Sequence, residues 1–160
     1  MRKRIYELLI EQKATALVSS AACGADLLAL DVAGELGIRR RVILPFGTER
    51  FRALSVIDRP GEWGTLFDRI ISEVCQKKDL IFLHERKTDK TKFIYTNTCI
   101  FDEALSLARS TAQRNSTIIS DRIIAVIVWE GKSHGEDDMT VDFAQEAIAR
   151  SIPITEIATS

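Results

Sequence analysis

The chain has 160 residues, 46% of them hydrophobic and 28% charged, which is enough for one globular domain with a substantial core. Its 22 basic and 23 acidic side chains leave a net charge of -1, so no global field draws it to nucleic acid or to an anionic membrane, and any anion site has to be local. The cysteines Cys23, Cys75 and Cys99 are odd in number and lack paired spacing; they read as reduced thiols of a cytoplasmic protein, not as a disulfide framework.

The opening MRKRIYELLIEQK is basic but has no unbroken apolar core, so it reads as a helix over about 2–12 and not as a signal peptide or anchor. No apolar run approaches a membrane span. TALVSS at 15–20 predicts a first strand, which breaks at SSAACGAD before an amphipathic helix over about 25–36 that Gly37 stops. RVILPF at 41–46 predicts a second strand, and LPFGTERFRALSVIDRPGEW a long irregular connection to a helix over 63–77. LIFLHE at 80–85 is a third strand, followed by a helix over 93–113 with a core stripe of Ile94, Ile100, Leu105 and Ala108. RIIAVIVWE at 122–130, a helix over 139–150 and the strand IPITEI at 152–157 complete the pattern.

All the strands but the last are apolar nearly throughout, as in strands covered on both faces, and strands alternating with helices imply a parallel sheet with right-handed crossovers. The expected fold is a single Rossmann-like, doubly wound α/β domain over 1–160. Its sheet is mostly parallel, with about five strands and helices on both faces. Such domains begin with a strand and this sequence begins with a helix, so the usual first strand is missing or belongs to a segment preceding Met1.

Ligands bind such sheets outside the carboxyl ends of the strands. The segments after the strands, 19–26, 45–58, 84–97 and 129–140, hold most of the unusual polar chemistry and are expected to converge on one edge. In the first, Ser19, Ser20, Gly24 and Ala25 place small side chains and free N–H groups at a helix start. That suits a phosphate, or merely lets a capped helix pack closely on the sheet. Asp26 already complements the helix dipole and would repel an anion placed beside it. In the second, Arg50, Arg52 and Arg59 carry guanidinium groups that could fork onto phosphate oxygens, while Phe46 and Phe51 could stack on a base or pin the loop to the body.

Tyr95, Asn97 and Asp102 fall off the helical core stripe; Asn97 offers donor and acceptor together to a nucleobase edge, or is simply an exposed polar residue. Gly131, Gly135 and Thr140 loosen the chain before the last helix. The acids Glu136 to Asp138 there stabilise a helix start unaided and would hold ribose hydroxyls or a cation sooner than a phosphate. His84 and His134 have no companions at ligand spacing, so no metal site is expected.

SSAACGADLLALDVAGELGI, followed by VILPFGTERFRALSV and GEWGTLFDRII, resembles the SLOG superfamily, which groups the Smf/DNA-processing-protein and lonely-guy-like Rossmann domains. YTNTCIFDEAL and IIAVIVWEGKSHGEDDMTVDFAQEAIARSIPI look like that group's later helix and final strand–loop–helix, so the resemblance covers roughly 16–157. It implies a pocket for a nucleotide-derived ligand. Ser20, Gly24, Ala25 and Asp26 would form its first phosphate-side loop and Phe46, Arg50 and Arg52 its second. Tyr95 and Asn97 would face base or ribose, and the stretch from Gly135 to Thr140 would close the far side. Relatives usually open with a strand and a polar turn, so part of the pocket would here be absent or supplied by another chain. Lonely-guy-type phosphoribohydrolases carry a doubled-glycine turn followed by Thr and a catalytic Glu, where this chain has HGEDDMT.

The function expected from this is a sensor for a small signalling nucleotide or NAD-derived molecule, non-catalytic or weakly catalytic, the nucleotide being ligand or substrate and not a cofactor. One alternative is a nucleotide N-glycoside hydrolase or transferase in which Glu136, or else Asp102 or Glu130, stabilises an oxocarbenium-like sugar or activates water. Another is a ligand-free interaction module. A second copy of the chain, or a fused or associated effector, is the expected protein partner; neither nucleic acid nor membrane is.

Overall fold

The computed structural model describes residues 1–83, 89–115, 123–129 and 139–159. Helices and strands alternate through them as α1 (Arg2–Glu11), β1 (Ala16–Ser19), α2 (Ala25–Glu35), β2 (Arg39–Leu44), α3 (Thr48–Ser55), α4 (Trp63–Gln76), β3 (Leu80–Phe82), α5 (Asp89–Asn115), β4 (Ala125–Trp129), α6 (Met139–Ala149) and β5 (Ile154–Ala158). The protein is thus mixed α/β, with every strand pair parallel among the described residues. One helix was not foreseen: α3 interrupts the connection read as irregular.

The strands form two small sheets in place of the single sheet of five expected from the sequence. One has the order β1-β2-β3, with Ala16 opposite Arg39 and Val42 opposite Leu80; the other pairs β4 with β5, with Ala125 opposite Ile154. The two sheets meet through side chains. Leu17 of β1 packs in the same cluster as Val126 and Val128 of β4, with Ile5 and Leu9 of α1 and Ile157 of β5 around them.

β2 is the axis of the first sheet, and Val42, Ile43 and Leu44 are fully buried, the signature of a strand covered on both faces. Val42 and Leu44 meet Leu27 and Leu30 of α2 and Phe67, Ile70 and Val74 of α4. The α4 positions recur at helical spacing, so one stripe of that helix is committed to the core. Helix α2 is buried on two sides, because Leu27 and Leu30 enter this cluster while Val32 and Ala33 enter the one beneath α1. In a third cluster Phe101 of α5 stacks on Phe143 of α6 with ring centroids 4.6 Å apart.

Period-two alternation also sorts the charges that open β2. Arg39 and Arg41 point to one side and share the buried carboxylate of Asp79, at 3.0 and 3.1 Å, and Arg41 reaches Glu103 of α5 at 2.7 Å. Arg40 points to the other side, donates to Glu73 of α4 at 2.7 Å and to the carbonyl of Leu30 at 3.3 Å, and lays its guanidinium against Gly34 of α2. Asp31 of α2 is clamped by Arg2 from α1 and Arg69 from α4, each at 2.6 Å. No described helix is long and apolar enough to cross a membrane.

Candidate functional site

At the carboxyl end of β1 the chain turns through Ser20 to Gly24 and enters α2. Gly24 has φ +95° and ψ -125°, a conformation open to glycine and costly for any residue with a Cβ. The requirement is purely conformational, since a Cβ there would meet nothing within 4 Å. In the first turn of α2 the Asp26 carboxylate accepts from the Ala22 N–H at 3.3 Å and is hydrogen-bonded to Ser19. Burial pushes the Asp26 carboxyl above its ordinary pKa, and the two hydrogen bonds offset only part of that.

The neighbouring turn is tied down by the Cys23 N–H, which donates to the carbonyl of Ser55 at the end of α3 at 2.9 Å. This bond brings the residues after α3 over the start of α2. The Cys23 thiol stands 3.9 Å from Asp58. Burial pushes the thiol's pKa up, nearby Arg59 pulls it down, and the carboxylates of Asp58 and Asp26 push it up again. The net shift is upward, so Cys23 is a protonated thiol and a poor nucleophile.

A cavity of about 280 Å³ opens where these segments meet. Ser20, Cys23 and Asp26 line it from the first turn, and Ser55, Asp58 and Arg59 from the residues that end and follow α3. Phe93, Thr96 and Asn97 of α5 form a further wall, and Met139 closes it from the first residue of α6. Asn97 fixes that last junction: its side-chain nitrogen donates to the Met139 carbonyl at 3.2 Å and to the Asp142 carboxylate at 2.8 Å. Both partners are acceptors, so the nitrogen must face them and the amide oxygen is left for other uses. The hydroxyl of Thr96, a buried residue, donates to the Lys92 carbonyl at 2.7 Å.

The site residues expected from the sequence divide accordingly. Ser20, Asp26 and Asn97 line the cavity, as does Arg59. Ser19 holds Asp26, while Gly24 and Ala25 shape the turn and the helix start. Thr140 directly follows the lining residue Met139, and Tyr95 lies between Phe93 and Thr96 on α5 without itself lining the cavity. Phe46 belongs to the core, packed edge-on against Phe93 at 5.7 Å and tilted against Phe51 at 6.2 Å. Arg50 lies 4.7 Å above the Phe46 ring.

Two of the expected residues are engaged in ion pairs. Arg52 forks onto Asp68 of α4 at 2.9 and 3.1 Å, over the space that Gly64 leaves. Asp102 is exposed on α5 and paired with Arg150 at 2.8 Å. Glu130, Gly131, His134, Gly135 and Glu136 lie outside the described residues, as does His84.

Sequence reading did not single out Ser55, Asp58, Thr96 or Met139 as site residues, and treated Cys23 only as a thiol. Asp58 and Arg59 reach the cavity because α3 takes up about two turns of the connection and ends over Cys23, a contact that no local pattern announces. A wider, more open hollow of about 420 Å³ lies against α4, lined by Thr48, Ser72 and Cys75 among others, and its one acid, Asp68, is the one already held by Arg52. Among the described residues no group of three or more His, Cys, Asp or Glu side chains is placed to hold a metal ion. Comparison of the chain with protein-family models, with curated proteins and with solved structures gives no match.

Proposed function

We propose that the protein binds a small nucleotide-derived ligand in the cavity at the end of β1, as a sensor and not primarily as an enzyme, on a Rossmann-like framework of the SLOG kind. The observation that carries this reading is convergence. Ser20 and Asp26, Asp58 and Arg59, Thr96 and Asn97, and Met139 come from four separate stretches of chain and line one cavity. Parallel pairing in the order β1-β2-β3, with helices between successive strands, supports the framework. At about 280 Å³ the cavity lies just below the range of small-molecule sites, about 300–1,000 Å³. It suits a nucleoside-sized group better than a complete dinucleotide. Contacts to Arg59 would order the exposed residues after α3, and that change is what a partner could read.

A thermal-shift screen against mononucleotides, cyclic nucleotides and NAD derivatives tests the proposal, with the recovered ligand checked by mass spectrometry. At a hundredfold excess over its Kd a ligand adds about 2.7 kcal/mol of stability, which in a chain of this size raises Tm by several degrees. The expected result is a rise with a restricted set of probes, each recovered intact, and a loss of the rise in Arg59→Ala. A flat screen overturns the proposal.

One observation favours a second reading. Asp26 is a carboxyl at the cavity with its pKa pushed up by burial, the direction of shift that favours a general acid. Release of free base in the same screen, absent in Asp26→Asn, would make the protein an N-glycoside hydrolase.

A further inference from the structure

The polar groups around the cavity are unequal in kind. Deep in it, Asp26 presents a carboxyl, Asn97 has spent its amide nitrogen on Met139 and Asp142, and Thr96 has spent its hydroxyl proton on Lys92. What these three have left to offer a ligand is chiefly oxygen lone pairs. At the exposed rim Asp58 adds a second carboxylate beside Arg59, the one guanidinium among the described residues that line the cavity. Of the other two arginines expected to meet a phosphate, Arg52 is forked onto Asp68 and Arg50 lies over the Phe46 ring.

Among the described lining residues, a doubly charged phosphate placed inside would face the carboxyl groups of Asp26 and Asp58, with one solvated arginine and the hydroxyls of Ser20 and Ser55 in compensation. A vicinal diol reverses the match, because its two O–H groups are donors and hydrogen bonds to a carboxylate are the strong, short ones. Phe93 and Met139 supply apolar walls for the flat or carbon face of such a ligand.

We infer that the cavity selects its ligand through ribosyl hydroxyls, accepted by Asp26, Asn97 and the rim carboxylate of Asp58, and that any phosphate stays outside at Arg59. The inference rests on the nucleotide reading above and replaces the phosphate cradle expected of the Ser19–Asp26 turn with a sugar-reading one.

The test is a titration of the whole chain, by calorimetry, with the four ribonucleosides, their 5′-monophosphates, their 2′,3′-dideoxy forms, and inorganic phosphate alone. The best ribonucleoside and its monophosphate should bind within about threefold of one another, and the dideoxy form should lose about tenfold or more. Inorganic phosphate should not compete. Asp58→Asn, at an exposed position that leaves the fold intact, should weaken the ribonucleoside about fivefold or more and shift preference toward the monophosphate. Monophosphate binding about a hundredfold tighter than the nucleoside, with no penalty for the dideoxy form, overturns the inference while leaving the nucleotide reading in place. Absence of binding by every probe overturns both.

Discussion

Asp26 stands in the first turn of α2, where the helix dipole favours an acid, yet burial holds its pKa above the ordinary value. The linkage has a definite sign. A carboxyl whose folded-state pKa is raised stabilises the fold at low pH, and that contribution is lost as pH rises through the folded-state value. Asp26→Asn, which removes the charge and keeps the shape, should therefore raise Tm at pH 7 to 8, with the gain shrinking as the pH falls. Melting curves of both proteins between about pH 4 and 8 check this; an equal or lower Tm for the variant at neutral pH would contradict it. A stability gain on removal marks a residue kept for something other than stability. Cys23 yields a companion prediction. With its thiol pKa raised and Cys75 exposed, mapping of iodoacetamide adducts near neutral pH should find Cys75 labelled well before Cys23.

Among the elements, β2 carries the clearest electrostatic commitment. The carboxylate of Asp79 is only 5% exposed and serves both Arg39 and Arg41, whose proximity depresses its pKa against the effect of burial. Asp79→Asn should cost roughly 2–4 kcal/mol in urea unfolding, because it leaves the largely buried Arg41 short of its counter-charge. Asp79, Asp31 and Glu73 all have depressed pKa values. Their stabilisation is present above the ordinary carboxylate range and is lost as pH falls through the folded-state values, so acid unfolding should be blunted in Asp79→Asn. In Gly34→Ala two effects compete. Alanine gains up to about 1 kcal/mol of helix propensity, but its Cβ would lie 2.7 Å from a guanidinium nitrogen of Arg40, whose side chain is 9% exposed and bound to Glu73 and Leu30. The displaced, buried hydrogen bonds outweigh the propensity, and the variant should unfold at lower urea.

These same elements show what the sequence could reveal. Strands and helices with an unbroken apolar signal, such as Val42 to Leu44 or the α4 stripe, lie where their periodicity places them. The second strand starts at Arg39, two residues before the apolar run that marks it from Arg41 onward, because consecutive charges look like a loop until Asp79 and Glu73 arrive from distant positions to neutralise Arg39 and Arg40. Helix α3 escaped because Phe51 is its one buried residue, too few for a visible stripe. In α5 the predicted stripe was misplaced at its start: Ile94 is 38% exposed, whereas Thr96, Ile100 and Phe101 are buried. The convergence of three of the four post-strand segments was legible from topology alone, and the fourth contributes Met139 from the start of α6. Which side chains face inward was not, since that depends on bonds such as Cys23 to Ser55 and Asn97 to Asp142, made across long stretches of chain.

At the scale of the whole molecule, the two sheets have no shared ladder among the described residues and meet in one apolar cluster. Ile157→Ala, at the centre of that cluster, should cost about 2–4 kcal/mol. Trp63 lies on α4 over the first sheet and Trp129 on β4 in the second, so single-tryptophan variants report on the two parts separately. Their urea transitions by fluorescence should coincide if the cluster makes the molecule one cooperative unit; separated midpoints would show two independently folding layers.

Helix α2 begins at the cavity and is wedged between both clusters, with Leu27 and Leu30 fixed on one flank and Val32 and Ala33 on the other. Such a helix cannot slide toward a ligand without prising two packed interiors apart. The yielding parts of the cavity are then its opposite banks, the exposed run through Asp58 and Arg59 and the junction that Asn97 makes with α6. Under the proposed sensor reading, news of an occupied cavity would travel outward through the surface of the protein, leaving its interior undisturbed.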